Sequence, residues 1–229
     1  MSKALPIRPG TRQRKHRLYL VEDHPVTREG LAQLINYQTD LEVCGQEGRA
    51  GQAVTEIAAL KPDLVIVDIS LAGTSGIELI KDLVRRDAGL RILVLSTHAE
   101  SLYAERSLRA GARGYVMKHQ PTEHVMTAIR QVLSGRVYLG ERMQNRLLSK
   151  MVGSAPAALA SDIEQLSDRE LEVFELIGEG WSTRQIGASL HLSVSTVETY
   201  RAHLKQKLRL ENATELVQHA VEWVHSRDF

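Results

Sequence analysis

The stretch DLVIVDISLAG, residues 63–73, places four consecutive apolar residues directly before a carboxylate at Asp68. A short run of this kind is typical of a strand buried on both faces, as in a parallel sheet covered by helices. Ligands of open parallel sheets bind beyond the carboxyl ends of the strands. Asp68 is therefore a candidate functional residue at the end of a central strand.

The same pattern recurs on both sides of this strand, between residues 17 and 134. Short β-rich runs alternate with segments of helical spacing. The runs are RLYLVED, LEVCG, DLVIVD, RILVLS and GYVMK, and the predicted helices cover roughly 25–37, 50–60, 75–87, 100–111 and 121–134. This order predicts an α/β fold with a doubly wound, five-stranded parallel sheet.

The strand pattern ends before the C-terminal third of the chain. Four helical segments are predicted at roughly 168–179, 183–190, 195–208 and 213–225. The small-residue stretch GSAPAALAS around Pro156 has little to pack and predicts a linker. We therefore expect a basic disordered tail at 1–16, an α/β domain at 17–134, a linker at 135–162 and an all-α domain at 163–229.

Composition describes an ordinary globular chain of 229 residues, with 43% hydrophobic and 25% charged residues. No apolar stretch approaches the roughly 20 residues that span a bilayer, so we expect a cytoplasmic protein without a membrane partner. The single cysteine, Cys44, lies in an apolar run and is expected to be a buried thiol. No Cys and His cluster has zinc-ligand spacing.

Charge is distributed unevenly, with +6 in residues 1–17, zero in 18–160 and −5 in 161–229. For the basic tail, plain disorder and nonspecific contact with nucleic acid both remain open.

Polar residues follow four of the five predicted strands. They are Glu22 and Asp23 after the first, Asp68 after the third, Ser96 or Thr97 after the fourth, and Lys118 after the fifth. Converging carboxylates repel one another unless a cation lies among them, and Mg²⁺ is the natural choice. With the ion bound, Asp68 can act as a nucleophile toward phosphorus, and Lys118 balances the added charge.

Other interpretations of these residues remain open. The carboxylates could be strand-end residues in solvated turns, with Asp23 capping the helix near Pro25. A metal-dependent phosphatase of the haloacid-dehalogenase type would need a second Asp two residues after the nucleophile, where this chain has Ser70. A regulator that uses the domain only for dimerisation, without phosphate, is the third alternative.

Residues 17–134 resemble the receiver domain of two-component response regulators, a flavodoxin-like domain. Its motif is an acidic pair, a phosphoacceptor Asp, a Ser or Thr, an aromatic and a Lys. This chain supplies Glu22, Asp23, Asp68, Ser96, Tyr115 and Lys118 in that order, and the spacing from the lysine selects Ser96 over Thr97. The family often has proline directly after the lysine; here His119 follows, which leaves the geometry of that peptide open.

The resemblance to a receiver implies a ligand set and a switch. Mg²⁺ would be held by Asp23, Asp68 and the backbone carbonyl of Ser70, with Glu22 acting through water. Ser96 would move to hydrogen-bond a phosphoryl group on Asp68, and Tyr115 would turn inward behind it. A sensor histidine kinase would donate that group.

The all-α domain contains a short helix, the tight connection HLSVS and a longer helix, which together predict a helix-turn-helix. From Val197 to Arg209 the longer helix carries four basic residues and one acid. A locally basic helix suits entry into the DNA major groove, although a solvated amphipathic helix has the same pattern.

Residues 163–225 are similar to LuxR-type DNA-binding domains, through L-S-x-R-E-x-E-V and S-x-x-T-V-E-x-Y-R. By this resemblance Glu198, Thr199 and Ala202 face base edges, and Thr196, Arg201, His203 and Lys205 lie nearer phosphates. The whole chain then resembles the NarL/FixJ class of response regulators. That class implies a transcription regulator rather than an enzyme, with double-stranded DNA as partner, a homodimer on DNA and RNA polymerase as a further candidate partner.

Overall fold

The computed structural model describes residues 14–71, 74–151, 163 and 165–225, in which an α/β domain precedes an all-α domain. The strands are β1 (His16–Val21), β2 (Leu41–Glu47), β3 (Leu64–Val67), β4 (Ser70–Leu71), β5 (Thr74–Ser75), β6 (Ile92–Ser96) and β7 (Gly114–Met117). The first helices are α1 (Pro25–Asn36), α2 (Ala50–Leu60), α3 (Gly76–Arg86), α4 (Glu100–Ala110) and α5 (Thr122–Leu133). The later helices are α6 (Glu141–Met151), α7 (Asp168–Gly178), α8 (Thr183–Leu190), α9 (Val194–Leu208) and α10 (Ala213–His225). None of the described helices has the length and apolar character that a membrane crossing requires.

The main sheet has five parallel strands in the order β2-β1-β3-β6-β7, which confirms the predicted fold class. β3 lies at its centre, and all four of its residues are buried. The strand order reverses between β1 and β3, and the crevice at such a switch point is where these folds bind ligands. Topology therefore brings the residues after β1 and β3 to one place.

Two apolar layers cover the sheet, and alternate residues of each strand enter opposite layers. Leu64 and Ile66 of β3 pack with α1 and α5, whereas Val65 and Val67 pack with α2, α3 and α4. The second layer continues into the all-α domain through residues such as Phe174. The two domains therefore share one continuous apolar cluster.

A short antiparallel hairpin, β4 with β5, follows the end of β3 and was not predicted from the sequence. Two-residue strands are too short to show alternation. The Gly76 amide donates to the Ile69 carbonyl at 2.7 Å and closes the hairpin. Ser75 then caps α3 by accepting a hydrogen bond from the Ile77 amide. The described residues between Asp68 and α3, 69–71 and 74–75, are thus held by backbone and capping hydrogen bonds.

Helix α6, Glu141–Met151, lies inside the segment 135–162 that was predicted as a linker, and the sequence analysis did not predict it. Met143 is buried and Leu147 lies one turn further on, and both pack on the apolar cluster. The Gly140 amide also donates to the Glu100 carboxylate at 2.6 Å. The stretch GSAPAALAS lies outside the described residues.

Two smaller expectations also differ from the structure. Cys44 is half-buried rather than buried, because β2 is an edge strand. β1 begins at His16, one residue before the expected start of the α/β domain, and Lys15 donates to the Gln38 carbonyl at 3.2 Å. The rest of the predicted tail, residues 1–13, lies outside the described part of the chain.

Gly76 offers a test of the close packing around the end of β3. A Cβ at this position would overlap the carbonyl oxygen of Asp68 and lie 2.7 Å from the Cα of Ile69. We expect Gly76→Ala to lower the free energy of unfolding by about 1 to 3 kcal/mol. The measurement is urea denaturation of the full chain, followed by far-UV circular dichroism.

Gly51 provides the matched control, because it also lies in a helix but would place its Cβ in open space. Gly51→Ala should raise the free energy of unfolding by about 1 kcal/mol, since alanine favours the helix. Equal stability of the two variants would contradict this account of the packing.

Candidate functional site

The residues that follow β1 and β3 form an acidic cluster at the carboxyl edge of the sheet. Glu22, Asp23, His24 and Asp68 each offer a ligand atom, and these atoms lie within 4.8 Å of one another. Glu22 and Asp68 are buried, with 3% and 2% of their surface exposed. Solvated strand-end turns would leave these carboxylates in water, so their burial favours a site.

Lys118, directly after β7, reaches back across the edge of the sheet to this cluster. Its ammonium group lies 2.7 Å from a carboxylate oxygen of Asp68 and 2.7 Å from one of Glu22. One cation thus bridges two buried carboxylates. The Lys118–His119 peptide is trans, as are the other peptide bonds of the described ranges.

The electrostatics of Asp68 depend on burial and on Lys118. Burial raises the pKa of Asp68 to about 6, against the opposing attraction of Lys118. Burial also acts to lower the pKa of Lys118, but Asp68 and Glu22 outweigh it and hold that pKa above its usual value. A second cation beside Asp68 would favour its ionised, nucleophilic form.

Asp23 has the features of a residue that can hold such a cation. Its buried oxygen Oδ1 accepts no hydrogen bond in the described part of the chain. The His24 ring nitrogen lies 2.8 Å from it but is not aligned to donate. The Asp23 side chain makes no cap on α1, whose N-cap residue is His24. The capping interpretation of Asp23 is therefore wrong, and the carboxylate set fits a hard divalent ion.

The remaining residues of the receiver motif lie around this cluster. The Ser70 amide donates to Asp68 Oδ1 at 3.3 Å. Ser96 is fully buried, whereas Thr97 is exposed. Tyr115 is already buried in this structure. Its hydroxyl donates to the His98 carbonyl at 2.7 Å.

His98 is a residue that the sequence analysis missed. Its amide donates to the Ser96 hydroxyl at 3.1 Å, and its ring lies within hydrogen-bond distance of Ser70 and of Glu175 in the all-α domain. Burial acts to lower its pKa, but the hydrogen bond that the ring donates to Glu175 and the negative charge of Glu175 outweigh burial and raise that pKa. The feature of the sequence that could have identified it is its position, two residues after Ser96.

The contact between the two domains involves a row of carboxylates on α7. Asp168, Glu172 and Glu175 are spaced by four and three residues, so they lie on one helix face, and all three are buried. Their partners in the α/β domain are Lys81 and Arg106 for Asp168, Ser75 for Glu172, and His98 and Tyr103 for Glu175. We call this row the α7 acidic face. Its spacing is visible in the sequence, but its partners are not.

The all-α domain presents α9 as the second helix of a helix-turn-helix. Ser182 caps α8 and Ser193 caps α9, and His191 makes the left-handed turn between them. Val197, Leu204 and Leu208 are buried. The residues predicted to face DNA bases, Glu198, Thr199 and Ala202, are exposed on the opposite side.

The residues predicted to lie near phosphates differ in how exposed their side chains are. His203 is exposed, whereas Thr196, Arg201 and Lys205 are half-buried. The Arg201 guanidinium lies 3.8 Å from Glu198, and Thr196 contacts the Ser193 hydroxyl at 2.7 Å. Lys207 on the same helix forms an ion pair with Glu170 of α7 at 2.6 Å. This ion pair joins α9 to α7 within the domain.

Comparisons with known proteins agree with this two-domain geometry. The response regulator receiver domain family matches residues 18–130, and the luxR family of bacterial regulatory proteins matches residues 164–220. Oxygen regulatory protein NreC of Staphylococcus carnosus (strain TM300) is 32% identical over 210 residues, which are 90% of this chain and 97% of that protein. The chain therefore belongs to the response regulators that join a receiver domain to a luxR-type DNA-binding domain, a family of transcription regulators.

Solved structures of response regulators are also similar to this chain, and two of them illustrate the likeness. A LuxR-family two-component response regulator from Aurantimonas sp. SI85-9A1 has a TM-score of 0.57 and 32% identity, covering 60% of this chain and 99% of that one. RcsB of Salmonella enterica serovar Typhimurium, solved with promoter rprA and phosphomimetic BeF3-, has a TM-score of 0.59 and 23% identity, covering 90% of this chain and 98% of that one. At 23% identity, the similarity to RcsB supports a shared fold and nothing further.

Glu170 provides a pH-dependent test of the packing behind α9. Burial acts to raise the pKa of Glu170, but hydrogen bonds from Lys207 and Ser167 outweigh it and hold that pKa below its usual value. A lowered pKa stabilises the fold above the unfolded-state pKa, and this stability is lost as pH falls through the folded-state pKa. We expect Glu170→Gln to lower the free energy of unfolding by about 1 to 2 kcal/mol at pH 7 and by less near pH 3.

Both tryptophans of the chain, Trp181 and Trp223, lie in the DNA-binding domain, so their fluorescence follows its unfolding in urea. Glu222→Gln is the control, because Glu222 is exposed. An equal loss of stability for Glu170→Gln at both pH values would contradict the assignment of the lowered pKa.

Proposed function

We propose that this response regulator accepts a phosphoryl group on Asp68 from a sensor histidine kinase and thereby controls its binding to DNA and transcription. The observation that carries the proposal is the position of Lys118, 2.7 Å from both Asp68 and Glu22 in a buried acidic cluster. The phosphatase alternative loses its support because the family is one of transcription regulators. The phosphate-independent alternative leaves the buried cluster without a role.

The transfer reaction follows from the geometry of Asp68. A carboxylate oxygen of Asp68 forms the new P–O bond, while the P–N bond of the kinase phosphohistidine breaks and its imidazole keeps the electron pair. The ammonium of Lys118 stabilises the added negative charge. Asp23, Asp68 and the Ser70 carbonyl would hold Mg²⁺, with Glu22 acting through water, and the ion would neutralise phosphoryl oxygens.

The phosphoryl group would then be sensed by Ser96 and Tyr115. Ser96 is the last residue of β6 and its hydroxyl is buried, and in the proposal this hydroxyl turns to donate to the phosphoryl oxygens. Tyr115 is already inward, and burial holds its pKa above the usual value, so its hydroxyl stays a neutral donor. Phosphorylation acts only through its different affinity for the resting and active states.

The proposed DNA contacts lie on α9. Thr199, Glu198 and Ala202 would face base edges, and Ala202 can offer a base only apolar contact such as a thymine methyl. Thr196, Arg201, His203 and Lys205 would lie near phosphates. We propose that two chains bind two half-sites as a homodimer, with RNA polymerase as a further partner, and that the protein acts in the cytoplasm where the DNA is.

Asp68→Asn tests the phosphorylation proposal. A small phosphodonor such as acetyl phosphate with Mg²⁺ should give the wild-type chain a lasting phosphoryl adduct, visible by intact-mass spectrometry. Asp68→Asn should give no adduct, because the amide is a poor nucleophile. The adduct should also raise DNA affinity at least about fivefold.

Asp63→Asn is the matched control, since Asp63 lies just before β3 and Asp68 just after it. This variant should keep the adduct. Rapid multiple turnover of the phosphodonor would support the phosphatase, and unchanged DNA affinity after phosphorylation would support the phosphate-independent regulator.

Lys205→Ala and Thr199→Ala should separate two kinds of DNA contact on α9. Lys205→Ala should weaken binding to all sequences and reduce the slope of log affinity against log salt by about 1. Thr199→Ala should leave that slope unchanged and reduce discrimination at one base pair by about 1 to 3 kcal/mol. The measurement is DNA affinity across a salt series and a set of single-base operator variants.

Arg86→Ala on α3 makes the same change of charge in the receiver domain and should alter neither quantity. An unchanged salt slope for Lys205→Ala, or a loss for Arg86→Ala as large as that for Lys205→Ala, would contradict the assignment of α9 as the DNA-binding helix.

A further inference from the structure

His98 makes four polar contacts that join the phosphorylation site to the DNA-binding domain. Its amide donates to the Ser96 hydroxyl at 3.1 Å, and its carbonyl accepts from the Tyr115 hydroxyl at 2.7 Å. One ring nitrogen lies 2.8 Å from the Ser70 hydroxyl, and the other lies 3.0 Å from a Glu175 carboxylate oxygen. The backbone of His98 thus contacts both proposed sensing residues, and its ring contacts the other domain.

We propose that His98 is the coupling residue of this protein: it fastens Glu175 of α7 to the receiver domain, and a phosphoryl group on Asp68 loosens that attachment. The proposal rests on the phosphorylation of Asp68 proposed above, and it adds the route by which the new charge reaches the DNA-binding domain. In the resting chain His98 helps to hold the α7 acidic face on the receiver.

The physical basis is competition for the Ser70 hydroxyl, together with rotation of the Ser96 side chain away from the His98 amide. The Ser70 hydroxyl contacts the His98 ring, and the Ser96 hydroxyl accepts from the His98 amide. A phosphoryl group on Asp68 would bring three strong acceptor oxygens beside these hydroxyls, and charged acceptors form the stronger hydrogen bonds. When the Ser70 hydroxyl donates to the phosphoryl group and the Ser96 side chain rotates toward it, His98 loses two of its four polar contacts, and the position of its ring against Glu175 is less firmly held.

The α7 acidic face makes this attachment sensitive to the loss of one partner. Glu175 is buried, with 5% of its surface exposed, and its carboxylate is paired with His98 and with the Tyr103 hydroxyl. A carboxylate held out of water is costly unless its hydrogen bonds are made. Once the His98 contact weakens, release of Glu175 into water is favoured, and the domains separate.

Separation of the domains would not uncover α9, because that helix is already open in the docked chain. Thr199 and Ala202 are exposed while α7 rests on the receiver. Docking therefore fixes where the DNA-binding domain sits, and release allows two domains to take up the spacing of two half-sites. The coupling therefore changes the position of the DNA-binding domain and leaves the exposure of α9 unchanged.

Amide hydrogen exchange of the full chain can measure this coupling. Peptides that cover α4 and α7 are compared without and with Mg²⁺ and beryllofluoride, which mimics the phosphoryl group. Fluorine NMR reports whether beryllofluoride is bound at Asp68. In the wild type we expect beryllofluoride to raise exchange in these peptides at least about fivefold. In His98→Ala exchange should be raised already, and beryllofluoride should change it less than twofold.

Lys81→Met is the matched control. Lys81 contacts Asp168 in the same interface but makes no contact with the acidic cluster in the described residues. In Lys81→Met, hydrogen exchange of the α4 and α7 peptides without beryllofluoride should be faster than in the wild type. Beryllofluoride should still raise it several-fold. Glu175→Gln, which alters the link from the other domain, should lose the response as His98→Ala does, and it covers the case in which His98→Ala folds poorly.

The outcomes separate this proposal from the proposed function. If fluorine NMR shows no beryllofluoride bound to the wild type, the proposal that Asp68 is phosphorylated is overturned. Bound fluoride with an unchanged response in both His98→Ala and Glu175→Gln would overturn the coupling role alone. Loss of the response in Lys81→Met as complete as in His98→Ala would also overturn it, because the interface as a whole would then carry the effect.

Discussion

The shared ammonium of Lys118 is the interaction on which the rest of this structure depends. Two buried carboxylates, Asp68 and Glu22, lie 2.7 Å from it, and a buried carboxylate is costly unless a cation and hydrogen bonds compensate it. The ion pair between Lys118 and Asp68 keeps a charged, reactive carboxylate inside the molecule. Any negative group added to Asp68 must redistribute the hydrogen bonds around it, since water has little access there.

The fold converts this local change into a change between domains. Asp68 directly follows β3, and the hairpin beyond it ends at Ser75, which contacts Glu172 of the DNA-binding domain at 3.1 Å. β6 ends at Ser96, and His98 two residues later contacts Glu175. The ends of two neighbouring strands therefore reach α7 within a few residues, and a buried polar interface transmits small displacements better than a solvated one.

Much of this arrangement could be predicted from the sequence. The five strands, the helices between them and the helix-turn-helix follow from hydrophobic period and capping residues, because each element buries a regular face of its own. The contacts that join His98 and Arg106 to the α7 acidic face could not be predicted, since they join residues more than 50 positions apart and show no local pattern. Helix α6 was missed because the small residues after it dominated the interpretation of that segment.

The most direct test of the central claim is a crystal structure of the full chain with Mg²⁺ and beryllofluoride. We predict Mg²⁺ at about 2.1 Å from carboxylate oxygens of Asp23 and Asp68, with the ammonium of Lys118 against the fluorides on Asp68. An ion bound elsewhere, or Lys118 turned away from Asp68 with the beryllofluoride site empty, would contradict the account.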